Sequence, residues 1–343
     1  GGIYYWDKSD GLTARAVEIS TEGNANETPI LAKQVMVSDV DRHVIAFGTN
    51  PVGSSDQDPL LIRFSDQESL LDWNPTATNT AGDLRIGSGS EFVTAIETKR
   101  EIVVITDSSV HSMQFIGAPF TFGIQPIASN TTIIGPNAAV AVEDAVFWMG
   151  RQNFYLYDGQ TKQLPCTVNE RVFFDFDYVQ ADKVYASVIS EFSEIIWFYP
   201  SNTNSLANGG TGENDRYVIF NYGENAWYYG NLGRTAFLDR GIRTFPIGAA
   251  GNYLYNHELG YTDDGSVMTS TIESSPIDIG DGDQFTFISR IIPDFTFNGS
   301  TNADPTVNVT LQSNNFPGAN YLQSELAKID RSATSTTVPF EQF

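Results

Sequence analysis

The sequence contains a single cysteine, Cys166, in 343 residues. A lone thiol excludes an internal disulfide framework and any zinc site built on several cysteines. Basic residues are scarce as well. There are 19 Lys and Arg against 42 Asp and Glu, a formal net charge of −23. A sequence-specific DNA reader needs basic surface to neutralise phosphates, so this balance argues against one. It is compatible with a protein that DNA slides past, because like charge keeps DNA from adhering. No apolar run approaches the roughly 18 to 20 residues of a membrane span, and no signal peptide is visible, so no stable membrane insertion is expected. The chain opens on Gly1-Gly2-Ile3 rather than Met, and a missing or processed N-terminal segment is expected. Catalytic signatures are absent too: there is no H-E-x-x-H, no phosphate loop and no G-x-S-x-G elbow. Gly87-Ser88-Gly89-Ser90 resembles the last only superficially, because its register fails.

What is present is apolar and aromatic. With 41% hydrophobic and 13% aromatic residues the chain can bury a core, and wholesale disorder is excluded. The length suggests two domains, or one large all-β domain with an attachment. Runs rich in β-branched and aromatic residues occur at 101–115, 144–159, 193–201 and 216–230, broken by Gly, Asn, Asp and Ser. Three read as hairpins: 103–115 turning at Asp107-Ser108-Ser109, 147–157 turning at 150–153, and 219–229 turning at 221–225. Segments 91–128, 138–165, 183–232 and 244–262 each hold at least a strand pair. Short strands at loose, repeated spacing predict four-stranded blades stacked about an axis, with a large irregular β-sandwich as the competing architecture. The expected fold class is therefore all-β: a β-propeller-like domain over 1–265 with an appended β-sandwich-like module over 266–343. Residues 1–37 are a possible remnant of an additional N-terminal β region. In the module, Val307, Val309 and Leu311 alternate with polar neighbours, as a half-buried strand does; Phe285 and Phe287 start another, and the module is expected to be incomplete at its C-terminus.

Two helices are predicted. Ser65-Asp66-Gln67-Glu68 fits a capping box, followed by Leu70, Leu71 and Trp73 and stopped by Pro75. A weaker helical stretch covers 321–329. Segment 201–214, rich in Gly and Asn, reads as a mobile surface loop within the first domain.

Candidate chemistry is sparse. His43, His111 and His257 are isolated, apart from Glu258 beside the last, and read as structural groups. Asp278, Asp281 and Asp283 fail the offsets of a calcium loop and read as a turn, as do Asp263-Asp264-Gly265 and Asp56-Gln57-Asp58. Asp175 and Asp177 flank Phe176 and could form a glycosidase-like pair only across a cleft. No catalytic residue, metal site or cofactor is expected. Arg234, Arg240 and Arg243 form the one local concentration of positive charge, a candidate contact for a neighbouring subunit or for phosphate. Trp148, Tyr155, Tyr157, Trp197, Tyr199 and Trp227 to Tyr229 could line a sugar-binding face, with about half expected in the core because strand side chains alternate. Four N-x-[ST] sequons, at Asn26, Asn130, Asn298 and Asn308, read as by-products of an Asn/Ser/Thr-rich composition.

The segments LLIRFSDQESLLDWNP (60–75), AVFWMGRQNFYLYDGQTKQLPCTVNERVF (145–173), SEIIWFYPS (193–201), NAWYYGNLGRTAFLDRGI (225–242), YLYNHELGYTDDG (253–265) and IDIGDGDQFTFISRIIPDF (277–295), in that order, resemble tail-nozzle proteins of short-tailed bacteriophages, also called packaged-DNA stabilisation or tail tubular B-type proteins. The resemblance runs from about residue 38 to the end and rests on segment order and Trp, Tyr and Gly placement. It implies a non-enzymatic virion component with a β-propeller and β-rich modules. Six copies would form a ring below the portal and adaptor, contact tail fibres or spikes, and hold packaged DNA until ejection. The protein would assemble in the host cytoplasm and reside in the virion tail. DNA would pass through the lumen without sequence-specific binding. The family usually carries more N-terminal β-structure and an Arg-rich strand after a segment like TTVPFEQF; neither is seen here, which suggests a fragment or disordered ends. The competing reading is a β-propeller that binds or cleaves surface glycans during receptor recognition; a bacterial extracellular scaffold is a third.

Overall fold

A computed structural model describes residues 1–23, 27–260, 262–268, 270–272, 296–297, 300, 302, 305–313 and 322–330. The chain divides into two compact units, Gly1–Gly260 and Tyr261–Phe343. The expected boundary at Gly265 falls a few residues later, inside a tight hairpin of the second unit.

In chain order the first unit begins with β1 (Tyr4–Tyr5), a 3-10 turn (Lys8–Asp10), β2 (Val17–Glu18) and α1 (Ile19–Glu22). Five consecutive antiparallel meanders follow, called blades here. Blade one is β3 (Gln34–Val37), β4 (Val44–Phe47), β5 (Leu61–Phe64) and β6 (Gly82–Arg85). Blade two is β7 (Phe92–Glu97), β8 (Ile102–Thr106), β9 (Ser109–Gly117) and β10 (Thr121–Ser129). Blade three is β11 (Ala139–Val142), β12 (Ala145–Met149), β13 (Phe154–Tyr157) and β14 (Thr161–Leu164). After α2 (Asn169–Phe174) and a 3-10 turn (Tyr178–Lys183), blade four is β15 (Tyr185–Ile189), β16 (Glu194–Tyr199), β17 (Arg216–Asn221) and β18 (Ala226–Gly230). Blade five has three strands, β19 (Ala236–Leu238), β20 (Ile247–Ala250) and β21 (Tyr253–Asn256).

The first strand of each blade lies beside the first strand of the next: β7 by β11, β11 by β15 and β15 by β19. Between blades one and two, Gln34 on β3 holds β7 through both amide atoms. Its Nε2 donates to Ala95 O at 2.8 Å and its Oε1 accepts from Ala95 N at 2.9 Å. Inner strands in series, with sheets stacked face to face, are the geometry of a β-propeller.

Strand periodicity explains the stacking. Within β8, Ile102 and Val104 pack with Ile45, Phe47 and Ile62 of blade one. The alternate residues Val103 and Ile105 pack with Val146 and Trp148 of blade three. In β16, Ile195, Trp197 and Tyr199 join the blade-three side, while Ile196 and Phe198 pack against Phe237 of blade five. Each such strand is buried on both faces, which is why it reads as an unbroken apolar run. The far face of blade one is sealed differently. Ala46 there packs with Ile3, Ile19, Ala32 and Trp73, so the N-terminal segment caps the stack.

The second unit contains β22 (Thr262–Asp263) and β23 (Ser266–Val267), joined by Asp264 and Gly265 at φ 46° and 83°, and the longer pair β24 (Thr306–Ser313) and β25 (Leu322–Asp330). A turn with positive φ at both central residues favours Asp-Gly, as read from the sequence. Val307, Val309 and Leu311 are half-buried and their neighbours exposed, matching the alternation. The expected strand start at Phe285 and the acidic turn at 278–283 lie outside the described residues.

Both predicted helices are corrected. Residues 65–75 form one turn at Gln67-Glu68 followed by bends, not a helix. The Ser65 hydroxyl accepts from Val44 N at 3.0 Å instead of capping, and Glu68 adopts φ 56°, which no helix accommodates. Trp73 is buried as a plug on blade one. Residues 322–330 form β25, because pairing along β24 satisfies a backbone that a short isolated helix would leave marginal. Segment 201–214 lies within blade four, between β16 and β17. It is cross-bonded by Asn204, whose Nδ2 donates to Thr211 Oγ1 and to Glu213 O, both at 3.0 Å.

Candidate functional site

The three candidate arginines do not form one cluster. Arg234 is tied into blade five: its Nε donates to His257 Nε2 at 2.9 Å, and its guanidinium carbon lies 4.6 Å from the centre of the Tyr255 ring. Arg240 and Arg243 sit in the loop between β19 and β20. Together with Ser190 and Thr244 they line one shallow, open depression. Arg240 pairs with Glu191 at 3.4 Å, and Asp239 accepts from Ser190 N. The depression offers two guanidinium groups and two hydroxyls, the chemistry of a carboxylate or phosphate contact.

The three histidines are structural. His43 Nε2 contacts Thr80 Oγ1 at 3.1 Å and the ring packs edge-on against Phe64 and Phe122. His111 Nε2 contacts Ser88 Oγ at 3.0 Å. Burial pushes the pKa of both down. His257 is pushed down to about 4, first by burial and then by the adjacent Arg234 charge.

Asp175 and Asp177 do not make a catalytic pair. They sit at the junction of α2 and the following 3-10 turn, not on a strand face. Asp177 caps that turn, accepting from Val179 N at 3.0 Å, and Asp175 accepts from Thr203 Oγ1 at 3.0 Å and lies 3.5 Å from Arg216. A separate cleft of about 240 Å³ lies where blades one and two meet, lined by charges of both signs, Asp41, Glu97 and Glu101 with Lys99 and Arg100, beside Phe115 and Phe122. Burial raises the Glu97 pKa, and Asp39 and Asp41 add to the rise. Among the described residues no group of three or more His, Cys, Asp or Glu is placed to hold a metal. Cys166 is half-buried, and burial pushes its thiol up to about 11, away from nucleophilic reactivity at neutral pH.

The aromatics divide by strand position within the blade, buried on the middle strands and exposed on the outer one. Trp148, Tyr157, Trp197 and Tyr199 are buried, whereas Tyr228 and Tyr229 are exposed on β18. Tyr229 lies under Arg171 of α2 at 4.5 Å.

Two features escaped the sequence reading. Arg63 is buried on blade one, where its guanidinium donates to Glu27 O, Asn50 O and Trp73 O; nothing in the sequence marks it. The other is the far face of blade five. The register places Ala236, Ala249 and Leu254 in one row and Leu238, Ile247 and Asn256 in the next, all on the face opposite Phe237. Leu238 and Leu254 are 66% and 76% exposed. The readable signal was the absence of Asp, Glu, Lys and Arg from 244–257.

No protein-family model matches the chain, and no curated protein matches it. Among solved structures the chain is similar to the AfRom2 CNH domain, at 12% identity, with 74% of this chain and 73% of that one covered and a TM-score of 0.39. It is similar to the N-terminal domain of Nup159, at 12% identity, with 93% and 81% covered and a TM-score of 0.35. A third similar structure is the tricorn protease, at 11% identity, with 89% of this chain and 30% of that one covered and a TM-score of 0.23. The propeller arrangement itself rests on the strand register and the interblade cores.

Proposed function

We propose that this chain is a structural subunit of a short-tailed bacteriophage tail, one of six in a nozzle ring that closes the DNA exit channel and retains packaged DNA until ejection. The sequence resemblance from about residue 38 onward suggests it, and the bladed β fold is the kind that the resemblance implies. The observation that carries the reading is apolar surface. The far face of blade five presents Ala236, Leu238, Ile247, Ala249 and Leu254 together, with Leu238 and Leu254 66% and 76% exposed. A contiguous apolar face of this kind is suited to burial in an assembly. The described histidines and the Asp175 and Asp177 carboxylates are engaged in structural bonds, which favours an architectural role over a catalytic one.

The test is reconstruction of purified particles. The expected result is this chain in a sixfold ring at the tail, below the portal and adaptor; finding it native to a cell free of virus overturns the reading. The glycan-binding alternative draws on exposed Tyr228 and Tyr229. Retention of the chain on a host polysaccharide that is lost in Tyr228→Ala or Tyr229→Ala would establish that alternative instead.

A further inference from the structure

The open face of blade five is the surface we infer to be the docking site for a second copy of this chain. This deepens the ring reading above and rests on it. Blades two, three and four are packed on both sides, and blade one has its far face closed by Ile3, Ile19, Ala32 and Trp73. Blade five packs on blade four through Phe237 and presents Ala236, Leu238, Ile247, Ala249 and Leu254 outward. On this outward face Leu238 and Leu254 are 66% and 76% exposed.

Charge selects the occupant. Copies that each carry −23 repel one another unless they meet where charge is absent or opposite. This face offers both conditions. Its three strands carry no charged residue. The loop at one end of it supplies Arg240 and Arg243 beside Ile242, which is fully exposed. Arg243 has no ion pair among the described residues. Arg240 is shared with Glu191 and flanked by Asp239, so the face is a neutral apolar centre with Arg243 as the cation at its margin, the part of the surface where two acidic copies repel least. The edge strand adds a second means of attachment. The outer strands of blades one and three carry charges, Asp83 and Arg85 on β6 and Lys162 on β14, and β10 carries Pro126 and a bulge. β18 lies against Arg171. β21 carries none of these guards, and unguarded edges are the ones that accept another strand. His257 N donates inward to Pro246 O, so by alternation Leu254 and Asn256 turn their backbone groups to the open edge.

The experiment is sedimentation velocity of the full chain at about 1 to 50 µM, comparing wild type with Leu238→Lys, Leu254→Lys and Arg243→Glu. All three side chains are exposed, so matching far-UV spectra and thermal midpoints are expected. Wild type should self-associate with rising concentration, each variant should weaken that association at least about tenfold, and Leu254→Val should retain it. A wild-type assembly unchanged by the three charge variants overturns this surface while leaving the ring reading intact. A wild type that stays monomeric throughout also overturns it. Absence of the chain from purified virions overturns the ring reading without touching a measured dependence on Leu238 and Leu254.

Discussion

Arg63 lies within blade one and is 1% exposed, in a protein where most charge is on the surface. Its guanidinium holds three loop carbonyls, one each from Glu27, Asn50 and Trp73, so it ties the N-terminal segment and the Trp73 plug to the sheet. Burial lowers its pKa to about 10, which leaves it charged at neutral pH. Hydrogen bonds to a charged donor contribute more than neutral ones, so Arg63→Ala should cost about 2–4 kcal/mol in urea unfolding. Arg63→Lys should recover only part, because a point charge cannot reach three carbonyls in a planar fork. Equal stability of Arg63→Ala and wild type would refute the tie. His257 gives a pH-dependent counterpart. Its folded pKa is near 4 against an ordinary value of 6.5, so the unfolded chain takes up the proton first as pH falls. The stability it carries is complete above pH 6.5 and is lost as pH falls toward 4. His43 and His111 act in the same direction, while Glu97 and Glu194, with raised pKa values, oppose them. His257→Gln keeps an acceptor for Arg234 and does not titrate. Its urea midpoint should therefore fall less between pH 7 and pH 5 than that of wild type; identical falls would refute the assignment.

Trp197, on the second strand of blade four, shows how one blade is fixed to the next. It is fully buried, and its indole N donates to Ala138 O at 3.0 Å, just before blade three begins. Trp197→Phe removes that bond and leaves a void beside Phe154, for an expected loss of about 2–3 kcal/mol by chemical denaturation. A loss below about 1 kcal/mol would mean that the interblade core repacks freely. Blades two to four were legible because their strands are long or buried on both faces, as in Ile102–Thr106 and Glu194–Tyr199. Blade one was not picked out, since its strands are four residues long, its first and last are half-exposed, and long turns separate β4, β5 and β6. The misread segment 65–75 shows the limit of local signals. Its capping pattern is real, but Asp66 is used by Thr80 N at 2.7 Å and Asp66 N by Asp72 O, so a turn and bends replace a helix. The arginine cluster was legible only as a run in sequence. Separating Arg234 from Arg240 and Arg243 depends on the pairing of Phe237 with Gly248, which no local pattern encodes.

At the scale of the molecule the dominant quantity is charge. The inner strands contribute little of it: β11, β15 and β19 have no acidic or basic residue, and β7 has Glu97. The acidic groups therefore belong mainly to loops and outer strands, where they act on whatever approaches the protein. For the ring proposed above, the polyanion that would approach is duplex DNA. Non-specific affinity for it grows from released counterions, and each Lys or Arg must reach a phosphate to release one. With 19 basic residues against 42 acidic ones, and with Lys33, Arg42, Arg85, Arg100, Lys162 and Lys183 already paired to carboxylates, little cation is left to do so. The full chain should therefore show no retained complex with duplex DNA at about 0.15 M salt and protein up to about 10 µM in a gel-shift titration. DNA inside a ring of such subunits would be repelled from the wall and held by steric closure. A complex whose affinity falls steeply with the logarithm of salt would show that the surface gathers enough Lys and Arg to grip phosphate. Retention by electrostatic adhesion would then replace retention by a closed gate.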